Sequence, residues 1–527
     1  MPSPRPDRTP DHRVAAWSVL VILLLVVPLV WSPHRLAVAA PETPNIVVIM
    51  VDDLDWPLLE AALPIMPAVQ ELQARGTTLN QYFVTTPLCC PSRSSLLRGQ
   101  YAHNHGVLWN RGEPGGSGGF EAFHRLGRES DTAATMLHDA GYRTGLFGKY
   151  LNGYPMSMPD DYVPPGWDDW AAHASVDREM FFHDYDLNVN GEIVHFGDGA
   201  QDYSTDVLRD FAISFLTSAP ADQPVFLMLT PYAPHSPSEP AARHVGTYAG
   251  PAVPLSPSYN EDDISDKPLW VRALPKIDDA TGADIEAIQT NRLESLMAVN
   301  EMVQQVVDTL EDTGRLESTY LLFTSDNGFH YGEHRVPFGK VTPYDESVNV
   351  PMIVVGPGIP AGVESEALAA NIDLLPTFLG WVGVRPPAFV DGRDLGGILL
   401  GATEPTRHQI LIEQFEDPGE RVKKGGKPGK AKDVSASGTP TAKLSQVALP
   451  PFVALRGETF MFAIYQTDEI EYYDLVTDPF ALDNRAADLS PEAVAQLTQL
   501  TNDLAACSGA SCRDLEDQIV EFPLSSP

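Results

Sequence analysis

The stretch Asn45-Ile46-Val47-Val48-Ile49-Met50-Val51 is apolar from its second residue on and stops at Asp52-Asp53. A run rich in β-branched residues, without alternating polar positions, reads as a strand covered on both faces. Such strands belong to sheets sandwiched by helices. The pattern recurs. Arg143 to Phe147 leads to Gly148-Lys149, and Val225 to Leu229 leads to Pro231-Tyr232-Ala233-Pro234-His235. Tyr320 to Phe323 leads to Ser325-Asp326-Asn327-Gly328, and Met352 to Val355 ends at Gly356. Between the strands lie segments with helical spacing. Apolar residues at positions 293, 296, 299, 303, 306, 307 and 310 predict a helix from Leu293 to Leu310, stopped by Gly314. Shorter helices are expected around Met66 to Leu72 and Thr132 to Ala140. The alternation predicts an α/β fold with a large, mostly parallel sheet sandwiched by helices. In open α/β sheets ligands gather at the carboxyl ends of the strands. Asp52, Asp53, Lys149, His235, Asp326 and Asn327 each follow a predicted strand, so they are expected on one edge.

The chain has 527 residues, more than a single core usually serves, so two domains are expected. The second begins near residue 405, with strands in Phe452 to Tyr465 and Glu469 to Leu475 and a helix from Pro491 to Ala506. Ahead of those strands, 421–445 is rich in Lys and Gly and reads as a flexible loop. It is either a solvated insertion or a cationic arm for an anionic polymer. The formal net charge of −36 repels nucleic-acid backbones. An anionic substrate would need a local cluster of cations and metal.

Residues 1–39 have the order of a secretory signal. Arg5, Arg8 and Arg13 precede the apolar run Val14 to Trp31, and Ala37-Val38-Ala39-Ala40 supplies a small-residue cleavage site. The expectation is export; an uncleaved segment would instead anchor the same domains to a membrane. Export implies an oxidising compartment. Of the four cysteines, Cys507 and Cys512 flank a short loop suited to a local disulfide. Cys89 and Cys90 are adjacent, and a vicinal disulfide is strained and rare. That pair needs another explanation.

The run Cys89-Cys90-Pro91-Ser92-Arg93, continued by Leu97-Arg98-Gly99, matches the pattern C-x-P-S-R-x-x-x-L-x-G. It resembles the signature of the type I sulfatases, members of the alkaline-phosphatase-like superfamily. The resemblance implies that Cys89 is oxidised to formylglycine by a formylglycine-generating enzyme, and that the hydrate of that aldehyde attacks the sulfur of a sulfate ester. It further implies one divalent cation held by Asp52, Asp53, Asp326, Asn327 and the residue-89 oxygen. The oxygen ligands suit a hard cation, Ca²⁺ or Mg²⁺, and the resemblance favours Ca²⁺. Lys149 and Lys340 resemble the family lysines that contact sulfate. Arg93 resembles the arginine that holds formylglycine, and His235 the histidine on the leaving-group side. The expected organisation is then a signal peptide at 1–39, a sulfatase catalytic domain at 40–404 and a smaller α+β domain at 405–527.

Two departures stand out. The family usually has Thr where this chain has Arg98. Many members also carry a histidine two residues after the first lysine, where this chain has Leu151. The stretch Gly148-Lys149-Tyr150-Leu151-Asn152, with His103-Asn104-His105, instead resembles the N-acetylglucosamine-6-sulfatase and extracellular heparan endosulfatase branch. The implied substrate is a sulfated carbohydrate, with 6-O-sulfated N-acetylglucosamine the specific expectation. Alternatives are a phosphate or phosphonate ester hydrolase of the same superfamily, or an exported glycan-binding protein with an unmodified Cys89.

Overall fold

The computed structural model describes residues 43–111, 115–174, 181–250, 253–402, 407–416 and 449–520. The expected signal peptide and the Lys/Gly-rich loop lie outside them. Asn45–Val51 is a strand with every residue buried. It pairs in parallel with Val225–Thr230 on one side and Thr319–Ser325 on the other. Arg143–Gly148 and then Asp169–His173 continue the parallel series beyond Val225–Thr230. These five central strands therefore end along one edge. Antiparallel strands flank them: Met352–Val355 on one side, Tyr185–Val189 and Glu192–Phe196 on the other. With Thr77–Leu79 and Val363–Ser365, the sheet has ten described strands. The architecture is the expected one, with a parallel centre and mixed margins.

The central strand divides the core by its period of two. Ile46, Val48 and Met50 face a cluster that includes Leu96, Leu97 and Phe378. Val47, Ile49 and Val51 face one that includes Leu296, Val299 and Val303. The helix bearing those last residues runs Asp279–Asp312, well beyond the expected Leu293 to Leu310. Its first turns are polar and bury little, so apolar spacing marked only the part packed on the sheet.

Gln409–Gln414, Phe452–Gly457, Phe460–Tyr465 and Ile470–Asp474 form a separate antiparallel sheet. Helices Pro491–Leu504 and Ala510–Glu516 follow, and the Cys507–Cys512 disulfide is present. Leu455, Phe462 and Tyr473 of this region join the cluster on the Ile46 face. A polar contact also ties the small sheet to the site region. The Tyr344 hydroxyl donates to Glu471 Oε1 at 2.7 Å, and Tyr473 donates to the same oxygen at 2.6 Å. No described helix is long and apolar enough to cross a membrane.

Candidate active site

All nine residues singled out from the sequence meet at the carboxyl edge of the central strands. Asp52 and Asp53 follow Asn45–Val51, and Asp326 and Asn327 follow the adjacent Thr319–Ser325. Asp53 has a positive φ of 66°, uncommon for a residue with a side chain. Its N–H donates to Asp326 Oδ1 at 3.3 Å. Its carbonyl accepts from Arg292, which also reaches Asp55 Oδ2 at 3.2 Å. These bonds hold a turn that the chain would otherwise avoid.

Cys89 begins the helix Cys89–Arg98, in which every residue is buried. The matched motif has a structural logic here. Pro91 falls in the first turn, where a missing N–H costs nothing. Leu97 enters the core. Gly99 caps the helix in the left-handed region at φ 64°. A Cβ there would lie 3.0 Å from Val390 and 3.2 Å from the Ile372 carbonyl. Arg98, the departure from the family pattern, points away from the site: it donates to the Arg128 carbonyl at 2.8 Å and stacks over Phe389.

Lys149 follows Arg143–Gly148 and forms a buried ion pair with Asp52. Its backbone N–H donates to the Thr230 carbonyl at 2.8 Å. The close approach needs Gly148, where a Cβ would come within 2.1 Å of that same carbonyl. Arg93 bridges three groups. Its Nε donates to Asp326 Oδ2 at 2.7 Å, one NH group donates to the Lys149 carbonyl at 2.7 Å, and the other lies 3.7 Å from Asp52. Lys340 pairs with Asp53, and its Nζ lies 2.9 Å from Cys89 Sγ and 3.4 Å from Asn327 Oδ1. Asn327 Nδ2 donates to Asp53 Oδ1 at 2.6 Å. His235 Nε2 is 3.7 Å from Asp53 Oδ2, and a quarter of its side chain is exposed.

The electrostatics follow from burial and pairing. Burial would raise the Asp52 and Asp53 carboxyls, but Lys149 beside the first and Lys340 beside the second hold both below the usual range. Burial would lower Lys149, but Asp52 raises it instead. Burial pushes the Cys89 thiol up to about 11, even with Lys149 and Lys340 pulling the other way. An unmodified Cys89 is therefore a neutral thiol at physiological pH and a poor nucleophile.

The atoms also suit a cation. Ligand atoms of Asp52, Asp53, Cys89 and His235 lie within 4.8 Å of one another. The Lys340 ammonium reaches Asp53, Asn327 and Cys89 together, so these groups already converge on one positive charge. Both Asp326 oxygens are engaged, one by the Asp53 N–H and one by Arg93, so this carboxylate braces the cluster as well as facing it.

Leu151, at the position of the family's second histidine, is 3 % exposed in an apolar cluster with Tyr150 and Tyr154. Sequence reasoning also missed four neighbours. Arg292 lies on the apolar stripe four residues before Leu296, and an arginine on a core stripe was its signal. His173 ends the parallel strand next to Lys149 and could have been found by the strand-end rule. Tyr232 also follows a predicted strand, three residues before His235, while Phe181 had no local signal.

The segment carrying Lys340 rests on buried acids. His334 Nδ1 is 2.9 Å from Glu261 Oε2, and Ser258 donates to Glu346 Oε1 at 3.1 Å. Burial lifts Glu261 to about 7, with Lys267 offsetting part of the rise. Burial also raises Glu333 and Glu346, and Glu333 adds to the rise at Glu346. An unfolded glutamate ionises near 4.5. These groups stay neutral in the folded protein above that pH, so the unfolded state releases protons first. The contribution of these three acids to stability is therefore greatest on the acid side of the window and falls as pH rises from 4.5 through about 7, while the buried imidazoles of His330 and His334, held low by burial, contribute with the opposite sign. Asp52 and Asp53, being lowered, titrate below this window. Glu261→Gln is expected to flatten the decline of Tm across it. An unchanged slope of Tm against pH in the variant would contradict the assignment.

The sulfatase family profile matches residues 44–384. The chain belongs to the sulfatase family. It is 35 % identical to the extracellular sulfatase SULF-1 homologue of Drosophila melanogaster over 374 residues, 70 % of this chain and 32 % of the relative. It is 30 % identical to the N-acetylglucosamine-6-sulfatase of Homo sapiens over 487 residues, 90 % of this chain and 87 % of that enzyme. The chain thus spans about a third of the Drosophila relative and 56 % of a putative Caenorhabditis elegans Sulf-1 homologue. The same fold occurs in a solved structure, BT4656 in complex with its substrate D-glucosamine-2-N,6-O-disulfate, with a TM-score of 0.71, 22 % identity and coverage of 90 % of this chain and 99 % of that one. It also occurs in a phosphonate monoester hydrolase from Silicibacter pomeroyi, with a TM-score of 0.62, 23 % identity and coverage of 88 % and 94 %.

Proposed function

We propose that this protein hydrolyses sulfate esters of sugars, with 6-O-sulfated N-acetylglucosamine as its substrate class, and that it acts after export. The observation that carries the reading is the meeting of Cys89 Sγ with Asp52, Asp53 and His235 inside 4.8 Å, beside the ammonium groups of Lys149 and Lys340. Similarity to the human N-acetylglucosamine-6-sulfatase over nine-tenths of the chain supports the sugar, and similarity to extracellular relatives supports export.

Residue 89 would act as formylglycine hydrate, formed when a formylglycine-generating enzyme oxidises Cys89 to the aldehyde and water adds to that aldehyde. One hydroxyl oxygen forms a bond to sulfur as the sulfur–alcohol oxygen bond breaks. The second hydroxyl then loses its proton and re-forms the aldehyde, releasing sulfate. Asp52, Asp53, Asp326 and Asn327 would hold a divalent cation, Ca²⁺ in preference to Mg²⁺. When bound, that ion withdraws charge from the sulfate oxygens and lowers the pKa of the attacking hydroxyl. Lys149 and Lys340 neutralise the remaining sulfate charge. Arg93 fixes the hydrate end through its hold on Asp326 and the Lys149 carbonyl. His235 is the proton donor to the leaving alcohol. Its Nδ1 lies 2.6 Å from the Ser236 carbonyl and so carries a proton. Nε2, 3.7 Å from Asp53 Oδ2, is the nitrogen that faces the site.

Three measurements test the proposal together. The mass of the peptide containing residue 89 should show the aldehyde. On matched aryl esters the sulfate should turn over faster than the phosphate. Chelation should cost on the order of a thousandfold in rate, recovered by Ca²⁺ or Mg²⁺. A preference for phosphate, or full activity with an intact thiol, would overturn the reading.

A further inference from the structure

We infer that Phe181, backed by Tyr232 and His173, is the wall of the sugar subsite and sets the preference for a pyranose leaving group. The inference rests on the sugar-sulfatase reading and adds to it a recognition surface.

The rings form one block next to the cations. Lys149 Nζ lies 5.1 Å from the Tyr232 ring centroid. Phe181 stacks on Tyr232 with centroids 4.0 Å apart and planes 10° apart. Both rings stand nearly upright against His235, each with its centroid 6.2 Å away. His173 meets Tyr232 edge-on at 4.7 Å. The register of Gly148 with Ala172 sets His173 beside Lys149. Tyr232 and His173 are buried, while Phe181 is only partly so. Burial first, and Lys149 second, hold the His173 imidazole down to about 3. It is neutral at working pH and packs as an aromatic ring instead of adding a third cation.

Geometry fixes what must pass this block. The sulfate is held at Lys149 and Lys340, and the leaving oxygen must reach His235. The carbons next to that oxygen then lie alongside the ring that flanks His235. A pyranose presents a face of C–H groups with hydroxyls at its rim. Such a face fits a rigid aromatic surface and leaves the hydroxyls to water and polar groups. Stacking on Tyr232 fixes the Phe181 ring in advance, which lowers the ordering cost of binding.

The test compares Phe181→Ala and Phe181→Trp with the wild type on N-acetylglucosamine 6-sulfate, with inorganic sulfate as product inhibitor. Phe181→Ala should lower kcat/KM about ten- to hundredfold, chiefly through KM. The inhibition constant of sulfate, which fills only the cation end, should stay within about twofold. Phe181→Trp should restore most of the loss. An unchanged kcat/KM in Phe181→Ala, or an equal loss in sulfate affinity, overturns the inference alone. A wild-type protein inert toward the sulfated sugar overturns the functional reading beneath it.

Discussion

Replacing Cys89 by Ala should lower sulfate-ester turnover by on the order of 10⁴-fold or more and shift Tm by only a few degrees. The two halves have separate physical grounds. The variant lacks the thiol whose oxidation would give the aldehyde, so no hydrate hydroxyl forms and the proposed contacts of Lys149 and Lys340 have no reaction to assist. The fold keeps its ties. Lys340 retains Asp53, Asp52 retains Lys149, and Arg93 retains Asp326. The cavity left by one sulfur atom is small. Measuring kcat/KM and thermal denaturation on one preparation decides the matter. An active variant would remove residue 89 from the chemistry, while an unfolded one would make its role structural.

Arg93→Ala should fail on both counts. Arg93 and Asp326 are almost fully buried, and their ion pair is 2.7 Å long. Removing the guanidinium leaves Asp326 without its cation in the interior, a change that costs about 3–5 kcal/mol. Turnover should fall at least about a hundredfold, because the residue-89 end of the site loses its brace. Arg93→Lys should not rescue it. The guanidinium spans Asp326, the Lys149 carbonyl and the side of Asp52 at once, and an ammonium has no such planar fork. Denaturant unfolding alongside steady-state rates would show this. A stable, active Arg93→Lys would reduce Arg93 to a simple charge.

How much of this could be read from the sequence depended on where the signal resides. The strands were legible because burial on both faces leaves an uninterrupted apolar run, as in Ile46 to Val51. Their ends were legible because the run stops at a polar residue. The site followed, since strand ends on a parallel sheet share an edge. The long helix was half legible: Leu293 to Leu310 carries the apolar spacing, while Asp279 to Arg292 is polar and contains Gly282. The aromatic block was not legible as a block, although His173 alone lies at a strand end. Phe181, Tyr232 and His173 come from different segments, and only the stacking of neighbouring strands brings them together. Nor does the sequence show that Arg98 turns away from the site, because that depends on where the carbonyls of Arg128 and Asp131 fall.

The burial of the helix Cys89–Arg98 has a consequence in time as well as space. Cys89 is 1 % exposed and lies under Lys340, and no residue of its helix reaches the surface enough to offer a handle. A second enzyme cannot grip this segment in the finished protein. On the proposed chemistry, oxidation of the thiol would have to precede closure, while residues 89 to 99 are still an open strand of chain. Under that proposal maturation and folding would run in competition. Slowing the collapse of the core should increase the fraction of molecules that carry the aldehyde, and accelerating it should trap them as thiol.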